Sequence, residues 1–476
     1  MSSTITFIGH QSWLVETGDT RILVDPMLTT SFGHSPELRF EIHPARDVGD
    51  LPPIDAVVVT NEHLDHFHLP SLRMLPADVP VIMPRMMPQV CVDEVRALGR
   101  TVRLVPLNEV ERVGDAELYL LPGAEGAPMW ENRVASVYVR AAADTGGGVF
   151  IQSDTATATP PESIGCTPEI FIATHNGQVP PAGYLGAFDN MLPLGTGEAT
   201  EGTGLRMLQG VLHEATDHFD SVRYLAFSGG GYVQVPPKHG EFLWADYQAL
   251  ARLANKLTLT IEVLGLTPGQ AARVGAGGAE ITTVPWISPG APTHPVVPSD
   301  RNDTAEPDLG AEVLPLFDGE LTDGDRTLIR AELDAMSPLL MQARLGRHLI
   351  NENVYLDSPT GPHRYAFHLR GYVPADEEDD GTRVFALNLN NGRFEELETG
   401  LRDALFTIPS GVDTNAVDLL AVLRGRIHIW ELAVSRLRQW YLCDKLDSPV
   451  GFLYGYFSEQ VRPGLARELY RQLKAA

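Results

Sequence analysis

Three apolar runs open the chain, Thr4 to Gly9, Ser12 to Glu16 and Arg21 to Asp25, and the turn residues between them predict short β-strands. The same signal recurs at 56–60, 81–83, 103–105, 117–121, 135–139, 148–151 and 169–173. Between the runs at 81 and 103, Met87, Cys91, Val95 and Leu98 fall at helical spacing, with Pro88 suited to a first turn. Residues 205–219 and 241–257 also read as helices, and they flank a strand at 224–227. Consecutive strands mixed with strand–helix units predict an α+β protein in which helices cover the outside of a sheet sandwich.

The character changes at Pro289 to Asp300, a stretch rich in proline and small polar residues that reads as a linker. The expected organisation is a domain over 1–288, a linker over 289–310 and a smaller α+β domain over 311–476. In the last of these, Thr322 to Ile350 predicts one long amphipathic helix capped by Thr322 or Asp323. Strands are expected at 364–373 and 384–390, with the acidic run Asp376 to Asp380 as a solvated loop between them. No internal repeat is evident.

A chain of 476 residues is long enough for two domains, and its content of 43% hydrophobic and 21% charged residues is that of an ordinary globular protein. The net charge of −26, from 36 Lys and Arg against 62 Asp and Glu, argues against a nucleic-acid partner. Such affinity rests on neutralising phosphates. Cys91, Cys166 and Cys443 form no CxxC pair and read as small buried residues of a reduced compartment, with no iron–sulfur pattern among them. No basic-then-apolar leader opens the sequence, and no apolar run approaches the ~20 residues of a membrane span. A cytoplasmic location without membrane association is expected, and nothing in the pattern sets an oligomeric state.

Candidate chemistry concentrates in Thr60-Asn61-Glu62-His63-Leu64-Asp65-His66, directly after the apolar run Ala56 to Val59. Imidazole and carboxylate groups at strand ends converge without long side-chain reach, so this cluster reads as a metal loop. Asp154 closes another apolar run in Phe150-Ile151-Gln152-Ser153-Asp154. Asn61 is also a favoured turn residue. His68, two residues past the cluster, lies near a helix start. Gly229-Gly230-Gly231 lacks the GxGxxG arrangement of a dinucleotide site. Asp217, His218 and Asp220 read as a solvated helix face, and Trp130, Trp244 and Trp286 as core.

Gly9-His10, Asp25 after Ile22-Leu23-Val24, the His63-x-Asp65-His66 set and Asp154 together resemble, in order and spacing, the landmarks of the metallo-β-lactamase superfamily over roughly residues 4–240. The resemblance implies a metallo-β-lactamase-like αβ/βα sandwich, with the second domain as a C-terminal α+β appendage. It implies an Asp25 that supports the metal loop, ligands His63, Asp65 and His66, and a bridging Asp154. Asn61 stands where the family has its first His. Glu125, in Leu121-Pro122-Gly123-Ala124-Glu125-Gly126, stands where a second is expected, and no His lies between residues 69 and 174. Both changes replace nitrogen with oxygen, which suits iron or manganese better than zinc.

A Glu in that slot resembles the nonheme diiron oxygenases of bacterial natural-product pathways. That branch implies two iron ions held by Asn61, His63, Asp65, His66, Glu125, Asp154 and His175, with Glu125 and Asp154 as the catalytic pair. His175 ends a strand and is the first choice as last ligand; His239, His213, His218 and Asp189 remain alternatives. The implied activity is a monooxygenase that uses O2 to hydroxylate a C–H bond of a small-molecule natural-product intermediate. Its electrons come from outside, from a ferredoxin and its reductase, because the chain shows no flavin, haem or iron–sulfur motif. Val412 to Leu420 and Leu423 to Ile427 resemble the ligand-cavity half of sterol-carrier-like domains, which implies a large, apolar or thioester-linked substrate and a role in the substrate pocket or in oligomerisation. The competing expectation is a dinuclear hydrolase of a lactone, thioester or phosphoester that uses zinc or manganese.

Overall fold

The computed structural model describes residues 3–29, 38–40, 51–124, 133–144, 146–174, 191–192, 203–229, 232–234, 247–258, 260–287, 313–351, 361–376, 379–441 and 448–475. Three large sheets organise them. The first has eight described strands in the order Gly278–Thr283, Gln270–Gly275, Ser3–Gly9, Ser12–Thr17, Thr20–Val24, Ala56–Val58, Val81–Pro84 and Val102–Val105. The second runs Glu262–Leu264, Tyr224–Ser228, Ile170–Thr174, Val149–Ile151, Ala135–Ala141, Ala116–Pro122 and Val110–Val113.

Strand side chains alternate between the two faces of a sheet, and the first sheet uses the alternation to make two cores. Ile22, Val24, Val58 and Ile82 face inward and merge with Leu120, Val137 and Phe150 of the second sheet. Leu23, Val57, Val81 and Met83 face outward, under Leu69 and Leu72 of the helix Leu69–Met74 and Val92 and Val95 of the helix Gln89–Ala97. On the far side of the second sheet, the helices Thr203–His218 and Tyr247–Leu257 contribute Leu208, Leu212, Ala251 and Ala254. The layering is therefore αβ/βα, as the strand pattern led one to expect. Four strands of these two sheets lacked a sequence signal, among them the edge strands Val110–Val113 and Gly278–Thr283. Most of their side chains are exposed or half-buried, so they carry no apolar alternation.

The third sheet is ordered Arg393–Leu397, Arg383–Asn388, His363–Arg370, Ser410–Asn415 and Arg438–Tyr441, with His363–Arg370 and Ser410–Asn415 parallel. Its core joins Tyr365, Phe367 and Val412 to Leu419 of the helix Ala416–Leu423 and Leu453 of the helix Pro449–Tyr456. The single long helix expected over 322–350 is instead two, Asp323–Gln342 and Arg344–Asn351. Thr322 caps the first in a capping box with Asp325. Pro338 removes one donor from the last turns, and Ala343 turns to an extended conformation at the break. The second helix then packs so closely that a Cβ on Gly346 would overlap the carbonyl oxygen of Leu340. The expected linker at 289–310 lies outside the described residues.

The last helix, Pro463–Ala475, returns to the first half of the chain. Ala466, Leu469, Tyr470 and Leu473 join the outer core there. The Tyr470 ring meets Phe67 edge-on at 5.3 Å, its hydroxyl lies 3.4 Å from Cys91 Sγ, and Lys474 pairs with Glu94. Leu469 is 2% exposed, and its replacement by alanine is expected to lower unfolding free energy by about 2–5 kcal/mol in urea titrations, the range for large-to-small core changes. No described helix is long and apolar enough to cross a membrane.

Candidate metal centre

Two sets of parallel strands end at one edge of the sandwich: Thr20–Val24, Ala56–Val58 and Val81–Pro84 in the first sheet, Val149–Ile151, Ile170–Thr174 and Tyr224–Ser228 in the second. Sites in parallel sheets form beyond the carboxyl ends of strands. The residues at those ends are Asp25, Thr60 to His66, Ser153 and Asp154, Thr174 and Ser228. The turn between the first two strands adds His10 and Gln11.

The potential ligand atoms of Asp65, His66 and Asp154 all lie within 4.8 Å of one another. His66 is fully buried, and its Nδ1–H donates to Asp25 Oδ2 at 2.7 Å. That leaves Nε2 facing Asp154 Oδ2 at 3.1 Å and Asp65 Oδ2 at 3.8 Å. A carboxylate behind an imidazole, fixing its tautomer, is the usual support of a metal-binding histidine. Asp25 is itself held by the backbone N–H and hydroxyl of Thr60, at 2.8 and 2.7 Å. Asp65 Oδ2 lies 2.8 Å from His10 Nε2. Gln11 Nε2 donates to Asp154 Oδ1 at 2.6 Å, and its amide is oriented by the Ser228 hydroxyl, which donates to Oε1 at 2.6 Å.

Charge is unevenly distributed here. Burial opposes a proton on His66, yet the carboxylates of Asp25, Asp65 and Asp154 outweigh it and hold the ring's pKa well above its ordinary value. Burial acts in the opposite direction on Asp65 and would raise its pKa, but His66 and His10 hold it well below the usual carboxylate range. Three carboxylates around one imidazole, with two of them at its open nitrogen, make a donor set that a divalent cation would neutralise; the residues present therefore fit a bound metal. Backbone strain points to the same place. Of four non-glycine residues with left-handed backbone among those described, His10 (φ 50°), Asp25 (φ 44°) and Ser153 (φ 58°) surround this cluster. Such conformations cost of order 1–3 kcal/mol each and collect at functional sites.

The other sequence candidates divide into three groups. Asn61 shapes the loop: its Oδ1 accepts from His63 N at 2.9 Å and its Nδ2 donates to Thr60 Oγ1 at 3.1 Å. His63 lines an adjoining pocket, where burial pushes its pKa down. Glu125, His175, His239 and Asp189 lie outside the described residues. His213 is exposed on its helix, and His218 Nδ1 lies 3.1 Å from Thr159 Oγ1. His68 caps the helix Leu69–Met74, accepting from Ser71 N. Removing the Gln11 amide is expected to loosen Asp154 and weaken metal affinity about 10–100-fold, the usual range for a support one shell out. Competition of Gln11→Ala and the parent protein for metal against a chelator measures this.

The pocket beside His63 is lined by His63 and Arg133 on one side and His428, Trp430, Tyr454, Ser458 and Glu459 on the other. Arg133 pairs with the buried Glu62. Nothing in the sequence pattern marked these C-terminal residues, which carry no metal-like spacing.

Residues 20–165 match the family model described as a beta-lactamase superfamily domain. Similar solved structures include a metallo hydrolase from the hyperthermophilic archaeon Ignicoccus hospitalis (14% identity, 58% of this chain and 99% of that chain, TM-score 0.38). An isothiocyanate hydrolase from Delia radicum gut bacteria shares 16% identity, over 57% of this chain and 98% of that chain, with TM-score 0.39. CmlA, a diiron beta-hydroxylase from Streptomyces venezuelae, shares 19% identity, over 57% of this chain and 54% of that chain, with TM-score 0.36.

Proposed function

The chain carries a beta-lactamase superfamily domain over residues 20–165, and from its carboxylate-rich centre we propose a cytoplasmic nonheme diiron monooxygenase that hydroxylates a C–H bond of a natural-product intermediate. The carrying observation is the donor chemistry: two carboxylates, Asp65 and Asp154, and one imidazole nitrogen, His66 Nε2, converge within 4.8 Å. Oxygen-rich sets favour iron or manganese over zinc. In this reading Asp65, His66 and Asp154 hold the metals together with Asn61, His63, Glu125 and His175. Asp154 would be the carboxylate shared by the metals, kept in place by Gln11, while Asp25 fixes the His66 ring. Bound iron supplies the activation of O2, with two electrons from a ferredoxin and its reductase, so that one oxygen atom enters the substrate and the other leaves as water. The pocket beside His63 receives the substrate and shields it from solvent.

One observation favours a second reading, a dinuclear hydrolase of a lactone, thioester or phosphoester. The Asn61 amide is engaged in the loop turn, so the replacement of nitrogen by oxygen in the ligand set then depends on Glu125 alone. A centre of this kind binding zinc or manganese would serve to acidify water. Elemental analysis of protein made with both iron and zinc supplied, followed by O2-uptake assays with and without reductant, separates the two. About two irons per chain, reductant-dependent O2 consumption and its loss in Glu125→Ala are expected. Predominant zinc with ester or lactone turnover in the absence of reductant would overturn the oxygenase reading.

A further inference from the structure

The pocket beside the metal loop is composite, and its far wall comes from residues more than 360 positions later in the chain than His63. That wall is firmly placed. Ser448 caps the helix Pro449–Tyr456, which carries Tyr454, and Tyr470 of the last helix donates its hydroxyl to Glu459 Oε1 at 3.2 Å. Within the wall, His428 has a fixed tautomer. Its Nδ1 accepts from Trp430 N at 3.2 Å, so the proton of the ring sits on Nε2. The side chain is only 11% exposed, yet Nε2 makes no hydrogen bond; Glu459 Oε1, at 3.5 Å, lies outside hydrogen-bond geometry. Buried donors are almost always satisfied, and a donor left open on a pocket wall marks where a ligand's acceptor belongs.

From this arrangement we infer that His428 Nε2–H, supplied by the C-terminal half of the chain, holds a neutral carbonyl oxygen of a small-molecule substrate in the pocket against His63. The neutrality follows from the charges that line it. Glu62 and Glu459 are both buried, and the one guanidinium there, Arg133, is paired with Glu62. A carboxylate or phosphate group would bring a further negative charge to a lining whose cation, Arg133, already serves both Glu62 and Glu459, whereas an amide, ester or ketone oxygen needs only the donor. The Trp430 and Tyr454 rings supply apolar surface for the substituent next to that carbonyl. The assignment rests on the metal loop being the reaction centre, and it holds for either an oxygenase or a hydrolase.

Nuclear magnetic resonance of the full chain, labelled with 15N-histidine and loaded with zinc to keep the signals sharp, tests it with acetamide and acetate as probes. The His428 signal is identified by its loss in His428→Phe, or in His428→Gln if the first variant does not fold. A saturable shift of the His428 Nε2 signal with acetamide, absent with acetate at the same concentrations, is expected. Response to acetate instead, or to neither probe, overturns the inference. Because the readout needs neither iron nor turnover, it stands or falls apart from the O2-uptake experiment.

Discussion

His66→Ala is expected to abolish tight metal binding, with elemental analysis after dialysis showing less than a tenth of the parent's metal. The variant removes the only imidazole nitrogen of the described trio and leaves two carboxylates that cannot hold the ion in the same place. A second effect separates this residue from a solvent-facing ligand. In the metal-free protein, His66 is the shared cationic partner of Asp25, Asp65 and Asp154. Its loss leaves those charges crowded in a buried site, a change that typically costs about 3–5 kcal/mol when one partner of a buried ion pair is deleted. Metal-free His66→Ala should therefore unfold at a clearly lower urea concentration than the metal-free parent. Retention of metal by the variant would mean that the centre lies elsewhere on the loop.

Why some of this was legible in the sequence, and some not, comes down to where each signal is stored. Ala56-Val57-Val58-Val59 is apolar because the strand is covered on both faces, and a polar cluster directly after such a run can only sit at the strand's end. His63, Asp65 and His66 are therefore readable together, and Asp154 is readable by the same logic on the second sheet. The supports are not. His10 reaches Asp65 across 55 residues and Gln11 reaches Asp154 across 143, and no local spacing encodes either contact. Asn61 carries two signals at once: its place in the series points to a ligand, and the bonds it makes among the described residues are those of a turn residue. The break between the two helices after Thr322 also escapes pattern reading. Amphipathic spacing continues through it, and only the packing of Gly346 on Leu340 shows why the axis must change. The composite pocket lies furthest from reach, since the contact that seats its far wall, Cys91 with Tyr470, spans 379 residues.

Asp413→Ala should show how far that wall depends on the third sheet. Asp413 is completely buried on the strand Ser410–Asn415 and draws together its two neighbours. It lies 2.6 Å from His368 Nδ1 and accepts from Arg370 Nε at 2.9 Å and Arg438 Nε at 2.7 Å. Burial alone would raise its pKa, but His368, Arg438 and Arg370 hold it far below the usual carboxylate range. A depressed carboxylate contributes stability that is fully present above its unfolded pKa of about 3.9 and is lost as pH falls through the folded value. The deficit of the variant should thus be the same at neutral pH and in mildly acidic buffer, and narrow only in stronger acid. Its size should be about 3–5 kcal/mol, because two guanidinium groups are left facing each other without an anion. The consequence reaches the pocket through Arg438–Tyr441, the strand that Asp413 anchors. Gln439 on that strand accepts from Ser448 Oγ at 2.7 Å and from Val450 N at 3.3 Å, seating the helix that carries Tyr454. Weaker acetamide binding in folded Asp413→Ala, alongside unchanged metal content, is the expected result. Loss of metal with the pocket intact would instead place the sheet's influence on the ligand loop.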